Sequence, residues 1–309
     1  MKKERIRIKN VVATALAVLL ILSFAGCNKV APEQVTEGIT FEDATVSYLG
    51  PEGTYTQEAC ERFFGGKGEY IPYKTVADAV EALVIGKTEF AVIPQENTIG
   101  GAVTDYLDVL IATEEVTVAG EVELPISQNL LVIPGTTLSD IRTVYSHKQG
   151  LTQGADWLAA NLSDAEVIEV SSTAEGARMV SEGGDPACAA IASSGCAEVY
   201  GLEILAAGIQ NNDNNKTRFY VLTTHVPQTA GADRMAFIVT GQAEDLPKLM
   251  ADLERRKLDL IAIHDRPLKT ELGQYSYMIE CSPGSYKDYT AIAGRNDLAF
   301  RFLGCFNVL

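Results

Sequence analysis

Three segments of this chain place polar side chains at the ends of apolar runs. They are Tyr48-Leu49-Gly50-Pro51-Glu52-Gly53-Thr54, Pro94-Gln95-Glu96-Asn97-Thr98-Ile99-Gly100-Gly101 and Asn215-Lys216-Thr217-Arg218-Phe219. In open α/β sheets, ligands bind outside the carboxyl ends of the strands, where such residues collect. Arg218 offers a planar, permanently charged fork that matches a carboxylate. Thr217 beside it offers a hydroxyl able to donate to a departing oxygen, a role that needs a closed and polarised cleft. Asn97 and Thr98 could orient a ligand, Thr173 is a similar candidate, and Gly53 and Gly101 would let backbone approach an anion. Each segment alone also reads as an ordinary turn of Gly, Pro and Asn, and Lys216-Thr217-Arg218 as the exposed start of a strand. His147 is a base by type, and equally a structural or hinge residue.

Short apolar runs alternating with helical periodicity must hold these groups. Residues 45–49, 90–94, 116–122, 128–133, 143–146, 167–170, 187–192 and 219–223 read as strands, with helices over 54–64, 76–85, 150–162 and 193–200. This is an α/β pattern with mostly parallel strands. A linker over 224–233, with Pro227 and Gly231, precedes a change of order. Strands at 234–240, 258–265, 274–281 and 301–308 with helices at 245–256 and 286–299 give βαββαβ, the ferredoxin-like split unit.

The formal charge of −16 argues against a nucleic-acid partner, which needs a basic surface. A small anion needs only local cations. No P-loop, H-E-x-x-H or G-x-G-x-x-G motif occurs, and no cysteine pair has zinc spacing, so no metal or cofactor is expected. Residues 1–27 stand apart: a basic start (Lys2, Lys3, Arg5, Arg7, Lys9), an apolar run over 11–22, then Ser23-Phe24-Ala25-Gly26-Cys27. This resembles a lipoprotein signal peptide with Cys27 as the lipidated residue; the run is short for a membrane span. Residues 28–43 read as a tether. The expected location is extracytoplasmic and membrane-anchored, although the remaining cysteine pattern suits a reducing cytosol.

Taken together and in order, the three segments resemble prephenate dehydratase. That family carries Y-x-G-P-x-G-T/S, P-x-E-N-S-x-x-G and a T-R-F tripeptide. Ser146-His147-Lys148-Gln149, Ser172-Thr173-Ala174-Glu175-Gly176-Ala177 and Ala197-Glu198-Val199-Tyr200-Gly201-Leu202 resemble further family stretches. The resemblance implies a two-lobed, periplasmic-binding-protein-like catalytic domain over 44–223 and an ACT regulatory domain over 234–309. It implies loss of water and carbon dioxide from prephenate, with Thr217 catalytic, Arg218 anchoring the anion and Phe219 packing beneath. Arogenate dehydratase and a lipoprotein that binds a small carboxylate without turnover are the alternative readings. Asp265, Arg266, Pro267 and Leu246 fall where the family's effector motifs lie. Here Glu244-Asp245-Leu246 replaces G-A-L and His264-Asp265-Arg266-Pro267 replaces E-S-R-P, so only weak control by phenylalanine is expected. The resemblance also implies a homodimer or homotetramer.

Overall fold

The computed structural model describes residues 41–226, 231–294 and 298–309. The expected signal sequence, Cys27 and most of the expected tether lie outside them, as does part of the expected linker. The first lobe runs β1 (Thr45–Leu49), α1 (Tyr55–Phe64), β2 (Glu69–Tyr73), α2 (Val76–Val84), β3 (Phe90–Asn97), β4 (Gly101–Ala102), α3 (Thr104–Ala112) and β5 (Thr117–Pro125). The second lobe follows with β6 (Asn129–Val132), β7 (Thr143–Ser146), α4 (Lys148–Gln153), α5 (Ala155–Asn161), β8 (Glu166–Glu169), α6 (Thr173–Gly183), β9 (Cys188–Ala192), α7 (Ser194–Tyr200) and β10 (Glu203–Ala206). β11 (Lys216–Thr223) then returns to the first lobe and lies between β3 and β5. Two connections, after Pro125 and before Lys216, therefore join the lobes.

Strand directions are mixed rather than mostly parallel. β1 pairs parallel with β2 and β3, and β7 with β8 and β9, but β11 is antiparallel to both neighbours and β6 to β9 and β10. The cause is topological: a strand returning from another lobe has no helical crossover to set it parallel. Helix ends follow local chemistry. Thr75 and Ser172 accept from Asp78 N and Glu175 N at the starts of α2 and α6, and Gly65 at φ 67° closes α1. The single helix expected over 150–162 is two, α4 and α5, which meet at Gly154.

Alternation along β11 sorts its side chains between two cores. Phe219 and Val221 pack with Val122, Leu124 and Phe64 beneath α1. Tyr220 and Leu222 face the other way, into a core shared with a third sheet. That sheet follows β12 (Arg234–Gln242), α8 (Leu246–Arg255), β13 (Asp259–Pro267), β14 (Gln274–Ser282), α9 (Tyr286–Ala293) and β15 (Ala299–Phe306). Its order, β13-β14-β12-β15, is that of the ferredoxin-like unit. α9 ends at Ala293, short of the expected 299, and residues 295–297 lie outside the described structure.

The third sheet does not hang on its linker. Its face opposite α8 and α9 presents Ala236, Ile238, Met278, Leu303 and Phe306 to Tyr106, Val118 and Tyr220. Tyr220 meets Tyr106 and Phe306 edge to face, at centroid distances of 6.2 and 5.7 Å. Such ring pairs contribute about 0.5–1.5 kcal/mol each beyond area burial. The chain end then extends the first sheet, with Glu121 N donating to Asn307 O and Leu309 N to Glu121 O at 3.1 and 2.9 Å. Gly304 is needed at this join, because a Cβ there would lie 2.3 Å from Val118 O. Among the described residues, no helix is long and apolar enough to cross a membrane.

Candidate active site

A cleft of about 250 Å³ is lined by residues of both lobes and their crossovers. From the first lobe come Thr54, Tyr55, Thr56, Pro94, Asn97, Thr217 and Phe219. Facing them are His147, which caps α4, Gln149, Gly150 and Gln153 on α4, and Ser171, Ser172 and Thr173 at the start of α6. No lysine, arginine, aspartate or glutamate is among the lining residues. Positive potential comes instead from the N-terminal ends of α1 and α6, whose backbone dipoles point at the cleft. Thr54 makes no side-chain cap bond, which leaves first-turn amides of α1 without that partner.

Thr217 sits at the second position of β11 and is 9% exposed. Its Oγ1 accepts from Asn97 Nδ2 at 2.9 Å. That bond occupies a lone pair and leaves the hydroxyl proton free to be donated elsewhere, on a residue that lines the cleft. Asn97 ends β3 and is 8% exposed. Its Nδ2 also faces Asn215 Oδ1 at 2.8 Å and Lys216 O at 3.2 Å, while its Oδ1 accepts from Ile99 N and Gly100 N at 3.0 and 2.9 Å. Phe219, 2% exposed, forms apolar floor beneath Thr217.

Arg218 is elsewhere. As the intervening residue of an extended strand it points to the opposite face, and it does not line the cleft. Its Nε and Nη2 donate to Glu121 at 2.6 and 2.8 Å, its Nη1 donates to Glu96 Oε2 at 2.9 Å, and Nη2 also reaches Glu280 on β14. Arg234 adds bonds of 2.6 and 3.0 Å to Glu121 and Glu123. Both Tyr220 Oη and Gln95 Nε2 donate to Glu280. Glu121 and Glu280 are fully buried. Burial raises the Glu121 pKa above the usual carboxylate range, and Glu280 adds to the rise against the lowering effects of Arg218 and Arg234. Burial opposes the Arg218 charge, but Glu121 and Glu280 outweigh it and raise its pKa. The guanidinium is fully engaged by three carboxylates, so the substrate-gripping position expected for Arg218 is not the one it occupies.

A β-bulge lets β3 serve both faces. Thr217 pairs with Asn97 and Arg218 with Glu96, but Phe219 pairs with Pro94, so Gln95 is the extra residue. Gln95 and Glu96 thereby both reach the buried ion network, while Pro94 and Asn97 line the cleft. Pro94, which has no amide hydrogen to give a ladder, fits such an irregularity.

The other expected residues divide. Thr173 lines the cleft. Thr98 is exposed and clamps its turn to β11, donating to Asn214 O and accepting from Lys216 N at 3.1 and 3.0 Å. Gly101, at φ 74°, shapes that same turn. Gly53, at φ 80°, joins the lobes: its carbonyl accepts from Ser193 Oγ and Cys196 Sγ at 2.8 and 3.0 Å. Asp265, Arg266, Pro267 and Leu246 belong to the third sheet and its helix. Arg266 is engaged with Asp108 of α3 through bonds of 2.5 and 2.6 Å, Asp265 and Pro267 are exposed, and Leu246 packs against the helix-side core. Sequence reasoning missed Gln128, Gln149 and Gln153 as cleft residues, and Asn215 as a partner of Asn97. Asn215, two residues before Thr217 and so on its face of the strand, carried a readable signal.

A family model for prephenate dehydratase matches residues 46–227. The chain belongs to the prephenate dehydratase family. The prephenate dehydratase of Corynebacterium glutamicum is 35% identical over 247 residues, covering 77% of this chain and 78% of that protein. A bifunctional chorismate mutase/prephenate dehydratase of Neisseria gonorrhoeae is 36% identical over 238 residues, or 76% of this chain; the chain spans 66% of that longer relative. Among solved structures, prephenate dehydratase from Arthrobacter aurescens in complex with L-Phe superposes with a TM-score of 0.76 at 29% identity, covering 85% of this chain and 90% of that one. Among the described residues, no group of three or more His, Cys, Asp or Glu side chains is placed to hold a metal.

Proposed function

We propose that this chain converts prephenate to phenylpyruvate, with Thr217 as the hydrogen-bond donor to the leaving oxygen. The carrying observation is the Asn97 Nδ2 to Thr217 Oγ1 bond, in which Thr217 accepts, so that its own proton is free for a ligand in the cleft it lines. In the reaction the ring C–O bond breaks, and the electron pair of the ring-to-carboxylate bond completes the aromatic ring as carbon dioxide leaves. The departing hydroxide, stabilised by the Thr217 hydrogen bond, takes up one proton from solvent and leaves as water. Aromatisation drives the step, so the chain has to position a dianion and stabilise one departing oxygen. The two helix N-termini and the Ser171-Ser172-Thr173 hydroxyls hold the carboxylates in a cleft that no lysine or arginine lines. The test is purified protein with prephenate, following phenylpyruvate absorbance. Thr217→Ser should retain activity, whereas Thr217→Val should lose on the order of 10²–10³ in kcat, the usual loss for one oxyanion donor. Prephenate binding without turnover by the unmutated chain would overturn the enzyme reading in favour of a carboxylate-binding lipoprotein. Preferential turnover of arogenate would reassign the substrate.

The third sheet supports a second proposal, that residues 234–309 form an ACT effector domain with weak affinity for phenylalanine. The βαββαβ order and the L-Phe complex of the Arthrobacter relative favour it. Pairing of two copies into a homodimer or homotetramer rests on the edge strand β13, where Leu260, Ile261 and Ile263 are about two-fifths exposed. Lipidation of Cys27 and an extracytoplasmic, membrane-anchored location rest on the N-terminal sequence. Loss of lipid label in Cys27→Ala is the expected result; an unlabelled soluble product from the unmutated gene would refute export.

A further inference from the structure

We propose that Gln149, in the second lobe, is a positioning residue that acts across the cleft on Thr217 through Asn97. The inference rests on the dehydratase reading of the cleft. Gln149 lies in the first turn of α4, and its Nε2 donates to Asn97 Oδ1 at 3.0 Å. The Asn97 carboxamide has one consistent orientation: three nitrogens face its Oδ1, and three oxygens face its Nδ2. Two of the donors to Oδ1, Ile99 N and Gly100 N, belong to Asn97's own turn and stay with it whatever the second lobe does. The third comes from the opposite lobe.

Donation into an amide oxygen draws electron density from the amide nitrogen and strengthens the bond that nitrogen donates. Gln149, Asn97 and Thr217 therefore form a chain in which each donor sharpens the next, ending at the hydroxyl proton of a residue that lines the cleft. Other bonds between the lobes lack this property. Ser193 and Cys196 donate to Gly53 O, and Tyr200 donates to Glu52 O, none of which touches a residue bonded to Thr217. The second lobe thus contributes to the chemistry as well as to enclosure. Thr217 is at its strongest as a donor when the lobes meet over the substrate.

The experiment compares unmutated protein, Gln149→Leu and Gln149→Glu. Gln149 is exposed, so neither exchange opens the core, and thermal unfolding checks this. Gln149→Leu should lower kcat on the order of 10-fold while KM changes less than about 3-fold. A glutamate there faces the Asn97 oxygen as a carboxylate and cannot donate; protonated, it can. Its kcat relative to unmutated protein should therefore rise as pH is lowered from about 8 toward about 5, approaching the carboxyl range. A merely structural role would give no such pH signature. Unchanged kcat in Gln149→Leu, or a Gln149→Glu profile parallel to that of unmutated protein, would overturn the inference alone. Absence of phenylpyruvate with unmutated protein would overturn the dehydratase reading and this inference with it.

Discussion

Arg218 of β11 and Glu280 of the third sheet are bonded to one another across the join between the two, with Glu280 fully buried. The residue beside the proposed proton donor is thus fixed by a carboxylate some sixty positions further along the chain. Removing Glu280 leaves Arg218 its bonds to Glu121 and Glu96 but takes the acceptor from the buried Tyr220 hydroxyl and Gln95 amide, and a buried donor left unsatisfied costs about 1–3 kcal/mol. Glu280→Leu should lose stability on this scale in urea unfolding and lower kcat through the adjoining Thr217. KM should move little, because Arg218 does not line the cleft. A large rise in KM with unchanged stability would restore Arg218 to the substrate.

Gly53 is the second point of leverage. Alanine there would have to adopt φ 80° and bring its Cβ within 3.0 Å of Cys196 Sγ and 3.2 Å of Cys196 Cα. Gly53→Ala should destabilise the chain by about 1–3 kcal/mol, measured by denaturant unfolding. It should also weaken substrate binding, because it wedges the lobes apart.

Acid should loosen the attachment of β13. The Asp108 carboxyl is held below its ordinary value first by its hydrogen bond to Arg266; burial opposes this, and the charges of Arg266 and Lys269 add to the lowering. A carboxyl with a lowered folded-state pKa contributes stability above its unfolded value, near about 3.9 for aspartate, and loses it as pH falls through the folded value. Asp108→Asn should therefore lower the unfolding temperature at neutral pH, and the difference should close as the pH falls below about 4. The pair is largely exposed, so high salt should shrink the difference as well.

The thiols give a further prediction. Burial pushes the pKa of Cys196 up to about 11 and those of Cys281 and Cys305 up to about 12, and Cys60 is raised too. Cys188 is the partly exposed one of the five free cysteines among the described residues. A thiol-reactive chromophore should label Cys188 in the folded chain and reach the other four only after unfolding. Rapid labelling of Cys196 would show that the lobes separate widely, because its thiol is tucked against the Gly53 carbonyl.

The sequence carried the alternation of elements and the three segments that meet around Thr217, because apolar periodicity and turn residues are local signals. It did not carry the direction of β11, which depends on a return from the second lobe. It also misplaced two strand ends. Glu96 and Arg218 look like solvated turn residues until they are seen bonded to one another, with Glu121 and Glu280, remote in the chain, completing the set around Arg218. Strand β2 was missed because Glu69-Tyr70-Ile71-Pro72-Tyr73 carries a proline and little buried surface. The glutamines of the cleft were missed because a neutral amide gives no motif of its own, and Gln149 reaches Asn97 only in the fold.

Strand β3 is a double-sided part whose extra residue adds to one side alone. Pro94 and Asn97 would face the cleft with or without Gln95, because its removal restores plain alternation through Glu96. What the insertion supplies is a second polar side chain on the inner side, where Gln95 donates to Glu280. Deleting Gln95 should therefore spare the phasing of the cleft and take one donor from the buried network. The bulge is a device of the join to the third sheet rather than of the cleft.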